Sequence, residues 1–345
     1  MRRVSIVMPT LNSERVLEES LRSIGAQDYP RDCIDVVVAD GGSTDRTAEI
    51  IDSFSGRFSG VSVRVVPNFL ATGEAGKAAG LREATGEIVA FVDSDNILPA
   101  PDWLRRMVAP FTDPSVVASE PIEYTLRQSD GYLTRYGALL GMNDPLCYFL
   151  GNYDRRSALS GRWTEVKLMS EEDCGDYVRV TLDPCALPTI GANGFLVRRD
   201  VLLESFGGSV PEYLFDVDVL WEIGRRRPLV VAKVKTGIVH VQAGNIRTFV
   251  RKQRRRIRDY QYYSALNIRR YPWKKQPAWR LAKFVIYSAS VVPLLVQTIR
   301  GYWRRPDGAW FFNPIANIVT LWVYGVETIR GLFGVRPAER GGWSQ

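Results

Sequence analysis

The stretch from Ile88 to Asp95 constrains this chain most strongly, because it is an uncharged apolar strand that ends in two carboxylates. Residues 88–92 read Ile-Val-Ala-Phe-Val, which is typical of a strand buried on both faces of a parallel sheet. Asp93, Ser94 and Asp95 follow where the strand should leave the sheet, and open α/β sheets bind ligands at that end. The spacing predicts two carboxylates facing one hard cation, unless they only cap a helix or close a turn.

The first hundred residues alternate between strand and helix patterns, which predicts a doubly wound, mainly parallel sheet flanked by helices. We expect a turn at Pro9–Asn12, and Ser13 as the cap of the helix that follows it. The predicted strands are Val4–Met8, Ile34–Ala39, Val61–Val66, Ile88–Val92 and Leu229–Val241. The later predicted helices are Thr47–Phe54, Gly73–Ala84, Trp103–Phe111, Val201–Phe206 and Val217–Arg225.

Several common classes of protein lack support in this sequence. No GxGxxG follows the first strand and no GxxxxGK[ST] occurs, which disfavours a dinucleotide oxidoreductase and a P-loop nucleotidase. The four cysteines are far apart and lack CxxC spacing, so we expect reduced thiols and neither a zinc site nor a disulfide framework. Arg2 and Arg3 lead directly into the first strand, so no signal peptide is expected. The lone His240 excludes a multi-histidine metal site.

The positive charge of this chain is concentrated near its C-terminal third. The formal net charge is +7, and the segment Arg247–Lys283 holds thirteen Lys or Arg residues and a single acid, Asp259. Such a segment predicts a polyanionic partner, either membrane lipid, phosphate or nucleic acid. Tyrosines interleaved with the basic residues would also suit stacking on single-stranded nucleic acid.

Two uncharged runs follow the basic segment. Phe284–Ile299 has sixteen residues and Ala309–Val326 has eighteen, whereas crossing a bilayer takes roughly 20. A helical hairpin would also carry Arg300, Arg304 and Arg305 to the far side, against the positive-inside tendency. We therefore expect helices that lie in, or dip into, the cytoplasmic leaflet. The alternative is a buried helical pair within a soluble domain.

Three blocks of sequence, in their order and spacing, resemble the family 2 glycosyltransferases of GT-A fold. They are Pro9-Thr10-Leu11-Asn12-Ser13-Glu14, Asp40-Gly41-Gly42-Ser43-Thr44-Asp45 and Asp93-Ser94-Asp95. The likeness runs from Val4 to about Arg258. It implies a GT-A catalytic domain, an α/β fold with a mixed, mainly parallel sheet, at residues 1–245. Residues 246–345 would form a basic, amphipathic and apolar helical region for membrane association.

The resemblance implies that Asp95 ligates Mg²⁺ or Mn²⁺ and that Asp93 contacts the ribose or sugar of a nucleotide-sugar donor. His240 ends a strand where several GT-A enzymes carry a metal-binding histidine, although a partly buried structural imidazole is equally open. Asp40 would bind the nucleobase, or else serve only as a turn residue. The rest of the nucleobase pocket would be Pro9, Thr10 and Glu14. The family often has a second acid at position 41, where this chain has Gly41.

The acceptor side of the site depends on an acid well after the first carboxylate pair. Asp216 falls on the family's base position, but its usual acidic neighbour is replaced by Phe215, which leaves Asp218 as an alternative. Helical residues two apart face different directions, so only one is expected to face the cleft, and we choose Asp216. A base there would take the proton of an acceptor hydroxyl during a displacement that inverts the anomeric centre. An ionised acceptor phosphate would need no base.

Two basic residues and one loop complete the resemblance. Lys77 lies where the family can place a donor contact, but a lone helix lysine would otherwise be solvated. Gln253-Arg254-Arg255-Arg256-Ile257 resembles a QxxRW element with Ile257 in place of tryptophan. Arg256 would then bind the leaving diphosphate, or else face anionic lipid. Gly191–Gly194 resembles the loop that lines the acceptor side.

The sequence therefore predicts an inverting, metal-dependent glycosyltransferase at the cytoplasmic face of the cell membrane. It would move a sugar from a nucleotide-diphosphate donor to a lipid-linked saccharide or a polyprenyl-phosphate acceptor, and it would bind an anionic membrane surface. A non-catalytic sugar-nucleotide-binding scaffold is one alternative. A basic nucleic-acid-binding protein is another, and the apolar runs argue against it. The donor sugar, the nucleobase and self-association through the C-terminal region stay open.

Overall fold

The computed structural model describes residues 1–58, 60–242, 244–272 and 277–333. The chain divides into two compact units, each built from two separate segments of sequence. Unit 1 comprises Met1–Thr125 and Glu165–Val241, and unit 2 comprises Leu126–Thr164 and Gln242–Gln345.

This division differs from the single boundary predicted after residue 245. The end of unit 1 at Val241 lies close to that boundary. The segment 126–164, which the prediction assigned to the catalytic domain, instead packs with the C-terminal region. The last residues of the predicted membrane-association region, 334–345, lie outside the described residues.

The described residues of unit 1 form one mixed sheet of ten strands. The strands are β1 Val4–Thr10, β2 Ile34–Asp40, β3 Ser62–Pro67, β4 Ile88–Val92, β5 Asn96–Ile97, β6 Val116–Tyr124, β7 Leu168–Asp173, β8 Tyr177–Leu182, β9 Asn193–Arg198 and β10 Leu229–His240. Nine of them follow the order β3-β2-β1-β4-β9-β6-β10-β8-β7, and β5 pairs with β10.

The helices flank this sheet or build unit 2. They are α1 Leu17–Gly25, α2 Thr47–Arg57, α3 Gly73–Glu83, α4 Trp103–Val108, α5 Tyr132–Leu140, α6 Pro145–Leu150, α7 Arg199–Ser205, α8 Asp216–Gly224, α9 Ile246–Ala265, α10 Ala278–Ser290, α11 Val292–Arg304 and α12 Asn313–Leu332. Of these, α5, α6 and α9 to α12 lie in unit 2.

The parallel part of the sheet confirms the strand predictions, with small differences at the ends. Strand β1 pairs in parallel with β2 and β4, and all seven of its residues are buried. It continues past the predicted end at Met8, because Pro9 and Thr10 pair with Ala39 and Asp40 of β2. The predicted turn therefore begins two residues later. Strand β9 runs antiparallel between β4 and β6, which makes the sheet mixed.

One helix prediction was wrong. Ser13 does not cap the first helix, because α1 begins only at Leu17 and its N-cap residue, Val16, makes no capping side-chain bond. The Ser13 hydroxyl lies instead 3.0 Å from that of Ser94. This contact ties the loop after β1 to the turn after β4.

Unit 2 has its own core, made of aromatic side chains from distant parts of the sequence. Tyr136 of α5 packs edge-on against Trp310 and Phe312, with ring centroids 6.4 and 5.4 Å apart. Phe249 of α9 packs against the same Phe312 at 5.3 Å. These contacts explain why the segment 126–164 belongs with the C-terminal helices.

Helix α12 has the reverse of the usual polarity of a helix in a water-soluble protein. Its buried face carries the polar residues Asn313, Asn317, Thr320 and Glu327, which are at most 5% exposed. Several large apolar residues of the same helix are exposed, for example Trp322 at 57% and Ile329 at 55%.

The two apolar runs of the sequence form helices of different kinds. Among the described residues, the stretch Gly308–Leu332 is the one helix long and apolar enough to cross a membrane, and 44% of its apolar window is buried. Helices α10 and α11 would add a second only as a single broken span, because they meet at a bend of 92°. The first predicted run, Phe284–Ile299, therefore bends in its middle at Val291.

Candidate active site

The turn Asp93-Ser94-Asp95 leaves the sheet at the end of β4 and is held by backbone bonds on both sides. The Asp93 N–H donates to the carbonyl of Ala192 at 3.3 Å and to Oδ1 of Asn96 at 3.1 Å. The Val241 N–H donates to the carbonyl of Asp95 at 2.8 Å. The chain thus fixes both carboxylates at the strand end that the sequence predicted.

Asp95 and His240 lie side by side. Strand β5 pairs with β10 so that Asn96 is opposite His240, and the His240 Nε2 is 3.3 Å from Oδ2 of Asp95. Both side chains are partly exposed, His240 at 14% and Asp95 at 26%. The ring of Tyr124 packs 5.8 Å from the imidazole. An adjacent carboxylate and imidazole are ligands that suit Mn²⁺, and partial exposure leaves room for further ligands.

The protein offers only a small set of metal ligands here. Among the described residues, no group of three or more His, Cys, Asp and Glu side chains is arranged to hold a metal ion. Asp95 and His240 would therefore supply two ligands, and the remaining positions would belong to water or to phosphate oxygens.

Lys77 and Asp216 form a buried ion pair. The Lys77 ammonium donates to Oδ2 of Asp216 at 2.6 Å, and the two side chains are 6% and 12% exposed. Helices α3 and α8 meet here, because the Leu214 N–H donates to the carbonyl of Glu74 at 3.0 Å. The alternative of a solvated Lys77 is therefore wrong, whereas its predicted contact with the donor stays a prediction. Its partner lies 139 residues further along the chain.

Burial and charge act in opposite directions on this pair. Burial alone would lower the pKa of Lys77, but Asp216, followed by Glu74 and Asp93, raises it above its usual value. Burial raises the pKa of Asp216, and the neighbouring Lys77 opposes that rise. We take the pair as ionised, since a 2.6 Å contact in a buried place is the geometry of a charge-assisted hydrogen bond.

Asp93 connects the two pairs electrostatically. Burial, followed by repulsion from Asp95, raises the pKa of Asp93 to about 8, against the attraction of Lys77. Asp216 and Glu74 add smaller repulsions. The turn after β4, helix α3 and helix α8 thus place three carboxylates, those of Asp93, Glu74 and Asp216, around the single ammonium of Lys77.

The side chain of Asp40 is engaged by its own loop. Its carboxylate accepts bonds from the N–H groups of Gly42 and Ser43, at 3.0 and 2.9 Å, and from the Ser43 hydroxyl at 2.6 Å. This is the turn role left open in the sequence. Position 41 is crowded, since a Cβ on Gly41 would lie 3.2 Å from the Cα of Ala71.

The other residues of the predicted nucleobase pocket lie near the same strand ends. Pro9 and Thr10 are the last two residues of β1 and are both buried. Glu14 is exposed, and its carboxylate accepts from the Arg46 N–H at 3.3 Å. The loops after β1 and β2 are further joined by Asn12, whose side chain accepts from the Thr44 N–H at 2.9 Å.

Sequence reasoning missed one residue of this site, Glu74, and one link, made by Asn193 of the predicted acceptor-side loop. Glu74 acts on Lys77 from the preceding helical turn, which the i, i+3 spacing of an acid and a lysine would have indicated. Asn193 accepts from the Asn96 amide at 3.0 Å and donates to the Tyr124 hydroxyl at 3.3 Å. No local pattern could predict that link, since the three residues come from distant strands.

Arg256 belongs to unit 2 and is held there by polar contacts. Its Nη1 donates to the carbonyl of Asn143 at 2.9 Å and to the side chain of Gln253. Gln253 is buried and donates to the Thr320 hydroxyl at 2.7 Å. Arg256 is thus partly buried against α12 and the loop before α6, whereas Arg251 and Arg255 of the same helix are exposed.

The first half of the chain is similar to a known protein family. Residues 5–169 match the family model described as Glycosyl transferase family 2. The poly(ribitol-phosphate) beta-N-acetylglucosaminyltransferase TarS of Staphylococcus aureus is 36% identical over 98 residues, 28% of this chain and 17% of TarS. The GalNAc(5)-diNAcBac-PP-undecaprenol beta-1,3-glucosyltransferase of Campylobacter jejuni is 30% identical over 98 residues, 28% of this chain and 31% of that enzyme.

These curated relatives are matched over less than a third of their own length. Among solved structures, the mannosyltransferase PcManGT from Pyrobaculum calidifontis, in complex with GDP-Man and Mn²⁺, aligns with a TM-score of 0.54 and 22% identity. The alignment covers 96% of this chain and 88% of PcManGT. The chain is therefore an α/β protein of GT-A fold, and its residues 5–169 are similar to the family 2 glycosyltransferases.

Proposed function

We propose that this chain is an inverting, metal-dependent glycosyltransferase. It moves a sugar from a nucleotide-diphosphate donor to a lipid-linked saccharide or a polyprenyl-phosphate acceptor at the cytoplasmic face of the membrane. The observation that carries the proposal is the meeting of the Asp95–His240 pair and the Lys77–Asp216 pair at the carboxyl end of β4. That is where open α/β sheets bind their ligands.

The donor side of the reaction uses the turn after β4. Asp95 and His240 would hold Mg²⁺ or Mn²⁺, which supplies a positive charge to the departing diphosphate. Asp93 contacts the ribose or the sugar of the donor. The nucleobase lies against Pro9, Thr10, Glu14 and Asp40, and since the Asp40 carboxylate already accepts three bonds from its own loop, its remaining acceptor capacity is small. Arg256 serves the leaving diphosphate.

The acceptor side uses Asp216. An acceptor hydroxyl attacks the anomeric carbon while Asp216 takes its proton, and the electron pair of the broken C–O bond leaves on the diphosphate. Attack from the face opposite the leaving group inverts the anomeric centre. Asp216 has one oxygen on Lys77, and its other oxygen, Oδ1, is buried and makes no hydrogen bond within the described residues. That oxygen is the one available to an acceptor.

The exposed apolar faces of α10, α11 and α12 support the membrane location. Large apolar side chains face outward on three helices, where water would oppose them and a lipid leaflet would not. They include Val285, Ile286, Val292, Val296, Ile299, Trp303, Ile318 and Trp322. Exposed basic residues accompany them, which suits anionic headgroups. The undecaprenol-linked substrate named for the Campylobacter relative supports an acceptor that resides in such a leaflet.

The direct test is transfer from labelled nucleotide sugars, with UDP and GDP donors, Mn²⁺ and a lipid extract, followed by extraction of labelled lipid. Asp95→Asn should lower the rate by about 100-fold or more, because charge stabilisation of the leaving group is lost. Asp216→Asn should lower it by about 100-fold or more with a hydroxyl acceptor and leave it almost unchanged with a phosphate acceptor. Asp52→Asn, an exposed carboxylate on α2, is the matched control.

Three outcomes would contradict the proposal. Equal transfer by the wild type and Asp95→Asn would remove the metal role of that residue. Binding of the donor without turnover under all conditions would favour the non-catalytic sugar-nucleotide-binding scaffold. Salt-sensitive binding of RNA without binding of lipid vesicles would instead favour the nucleic-acid-binding protein.

A further inference from the structure

Lys77 is held in place by the helix that carries it. Helix α3 packs so closely on β1 that a Cβ on Gly76 would lie 2.9 Å from the Pro9 side chain, and one on Gly80 would lie 2.5 Å from the Val7 side chain. Lys77, between these two glycines, is 5% exposed. A lysine fixed in this way cannot turn out into water without moving the helix, so its ammonium must find its partners inside the site.

Three carboxylates act on the single ammonium of Lys77. Asp216 bonds it directly, and Glu74 and Asp93 act on it electrostatically. A nucleoside diphosphate would bring further negative charge to the same place. An ammonium has three donor hydrogens, so one lysine can serve two acceptors, but each added acceptor weakens its hold on the others.

We propose that the ammonium of Lys77 is shared between Asp216 and the donor diphosphate, so that binding of the donor loosens the ion pair and releases Asp216 to act as a base. The inference rests on the proposed function and adds a coupling between the donor side and the acceptor side of the site. Without donor, the positive charge of Lys77 opposes the rise in proton affinity that burial gives to Asp216. With donor bound, part of that positive charge is drawn to the phosphates, and the proton affinity of Asp216 rises.

Such coupling is reciprocal, so it predicts the direction in which a change at Asp216 alters the affinity for a diphosphate. If the diphosphate weakens the bond between Lys77 and Asp216, then Asp216 must weaken the binding of the diphosphate by the same factor. Removing the charge of Asp216 should therefore tighten the binding of a diphosphate. A lysine with a purely structural role predicts no such gain.

The experiment is a double-mutant cycle on binding, measured by calorimetry in the presence of Mn²⁺. The probes are UDP, GDP and inorganic pyrophosphate, and the proteins are the wild type, Lys77→Gln, Asp216→Asn and the double variant. Asp216→Asn should tighten the binding of the preferred probe by about 5-fold or more, in the usual range of coupling between sites. Lys77→Gln should weaken it, and in that background Asp216→Asn should change it by less than about 2-fold.

The chain offers two matched controls. Lys235 and Asp173 form a pair of the same 2.6 Å length on the surface of unit 1, so Lys235→Gln and Asp173→Asn should leave binding unchanged. Asp218→Asn removes another buried carboxylate from the same helix, α8, two residues after Asp216. The comparison of Asp216→Asn with Asp218→Asn keeps Lys77 in both proteins, so it decides the matter even if Lys77→Gln fails to fold.

The results that overturn the inference are distinct from those that overturn the proposed function. Unchanged or weaker binding by Asp216→Asn, equal tightening by Asp218→Asn, or equal tightening in the Lys77→Gln background would each overturn the sharing of Lys77 and leave glycosyl transfer standing. Failure of the wild type to bind any of the three probes would overturn both.

Discussion

The side chains of Asn96 and Asn193 are joined by a hydrogen bond of 3.0 Å between the Nδ2 of the first and the Oδ1 of the second. This bond ties the turn that carries Asp93 and Asp95 to the first residue of β9. Asn96 also accepts from the Asp93 N–H through its Oδ1, and it is fully buried. One amide therefore fixes the turn from two sides.

Asn96→Ala should loosen this turn. It removes two hydrogen bonds from a buried place, and we expect a loss of about 2 kcal/mol in the free energy of unfolding, measured in urea. The affinity for Mn²⁺ plus a nucleoside diphosphate should fall by about 10-fold, because residues that orient a ligand typically matter to that degree. Asn317→Ala, which removes a buried amide from α12 of unit 2, serves as the control for a lost amide. Unchanged affinity in Asn96→Ala would show that the turn holds its shape without this bond.

The pair of Lys233 and Glu120 should matter for folding alone. The two residues lie opposite each other on β10 and β6, both are fully buried, and the Lys233 Nζ is 2.6 Å from a Glu120 carboxylate oxygen. Lys233→Met leaves a buried carboxylate and should lower the free energy of unfolding by about 3–5 kcal/mol. The double variant Lys233→Met with Glu120→Leu should recover most of that loss. A double variant no more stable than Lys233→Met would contradict this explanation.

The outward apolar face of α11 should bind lipid vesicles. Val296 is 60% and Ile299 is 48% exposed. Replacing both with Glu should reduce sedimentation with phosphatidylglycerol vesicles by about 10-fold or more, because apolar area is lost and negative charge is added near anionic lipid. Met169→Glu, an exposed apolar residue on β7 of unit 1, is the control and should bind like the wild type. Equal binding by the double Glu variant would place the lipid contact elsewhere.

The turn that leads into β6 should make stability depend on pH. The Ser115 hydroxyl, followed by the Ser115 N–H and, less strongly, Arg179, holds the pKa of Asp113 below its usual value. A carboxyl group whose pKa is lower in the folded than in the unfolded chain stabilises the fold above the unfolded value, about 3.9, and loses that effect as the pH falls through the folded value.

Asp113→Asn should therefore be less stable than the wild type at pH 7, and the difference should shrink as the pH falls below about 4. Urea unfolding at pH 7, 5, 4 and 3 measures this, with Asp52→Asn as the control. A difference that stays constant over this range would mean that the Asp113 carboxylate contributes through its shape and not through its charge.

The sequence predicted the parallel strands well, because apolar runs such as Ile88–Val92 carry their own signal of burial on both faces. It also predicted that carboxylates would follow β4. It could not predict the burial of Lys77, since that depends on Asp216, which reaches it only through the fold. The extension of β1 to Thr10 likewise depends on pairing with β2.

The division into units was the hardest feature to predict. The sequence pattern of the segment 126–164 predicts loops and short helices. Nothing in that pattern indicates that Tyr136 packs against Trp310 and Phe312. The resemblance to a known family also suggested a continuous catalytic domain. Contacts between residues more than 170 positions apart determine this division into units. No local sequence pattern indicates such contacts.

The interleaved order of the two units has a consequence for synthesis on the ribosome. Strand β10 lies inside the sheet and comes late in the chain, so unit 1 cannot close its sheet until residue 240 has emerged. By then α5 and α6 have already left the exit tunnel without Trp310 and Phe312, the aromatic partners of Tyr136. The apolar residues of α5 and α6 are therefore exposed during much of translation. Early contact with a bilayer or a chaperone would shield them.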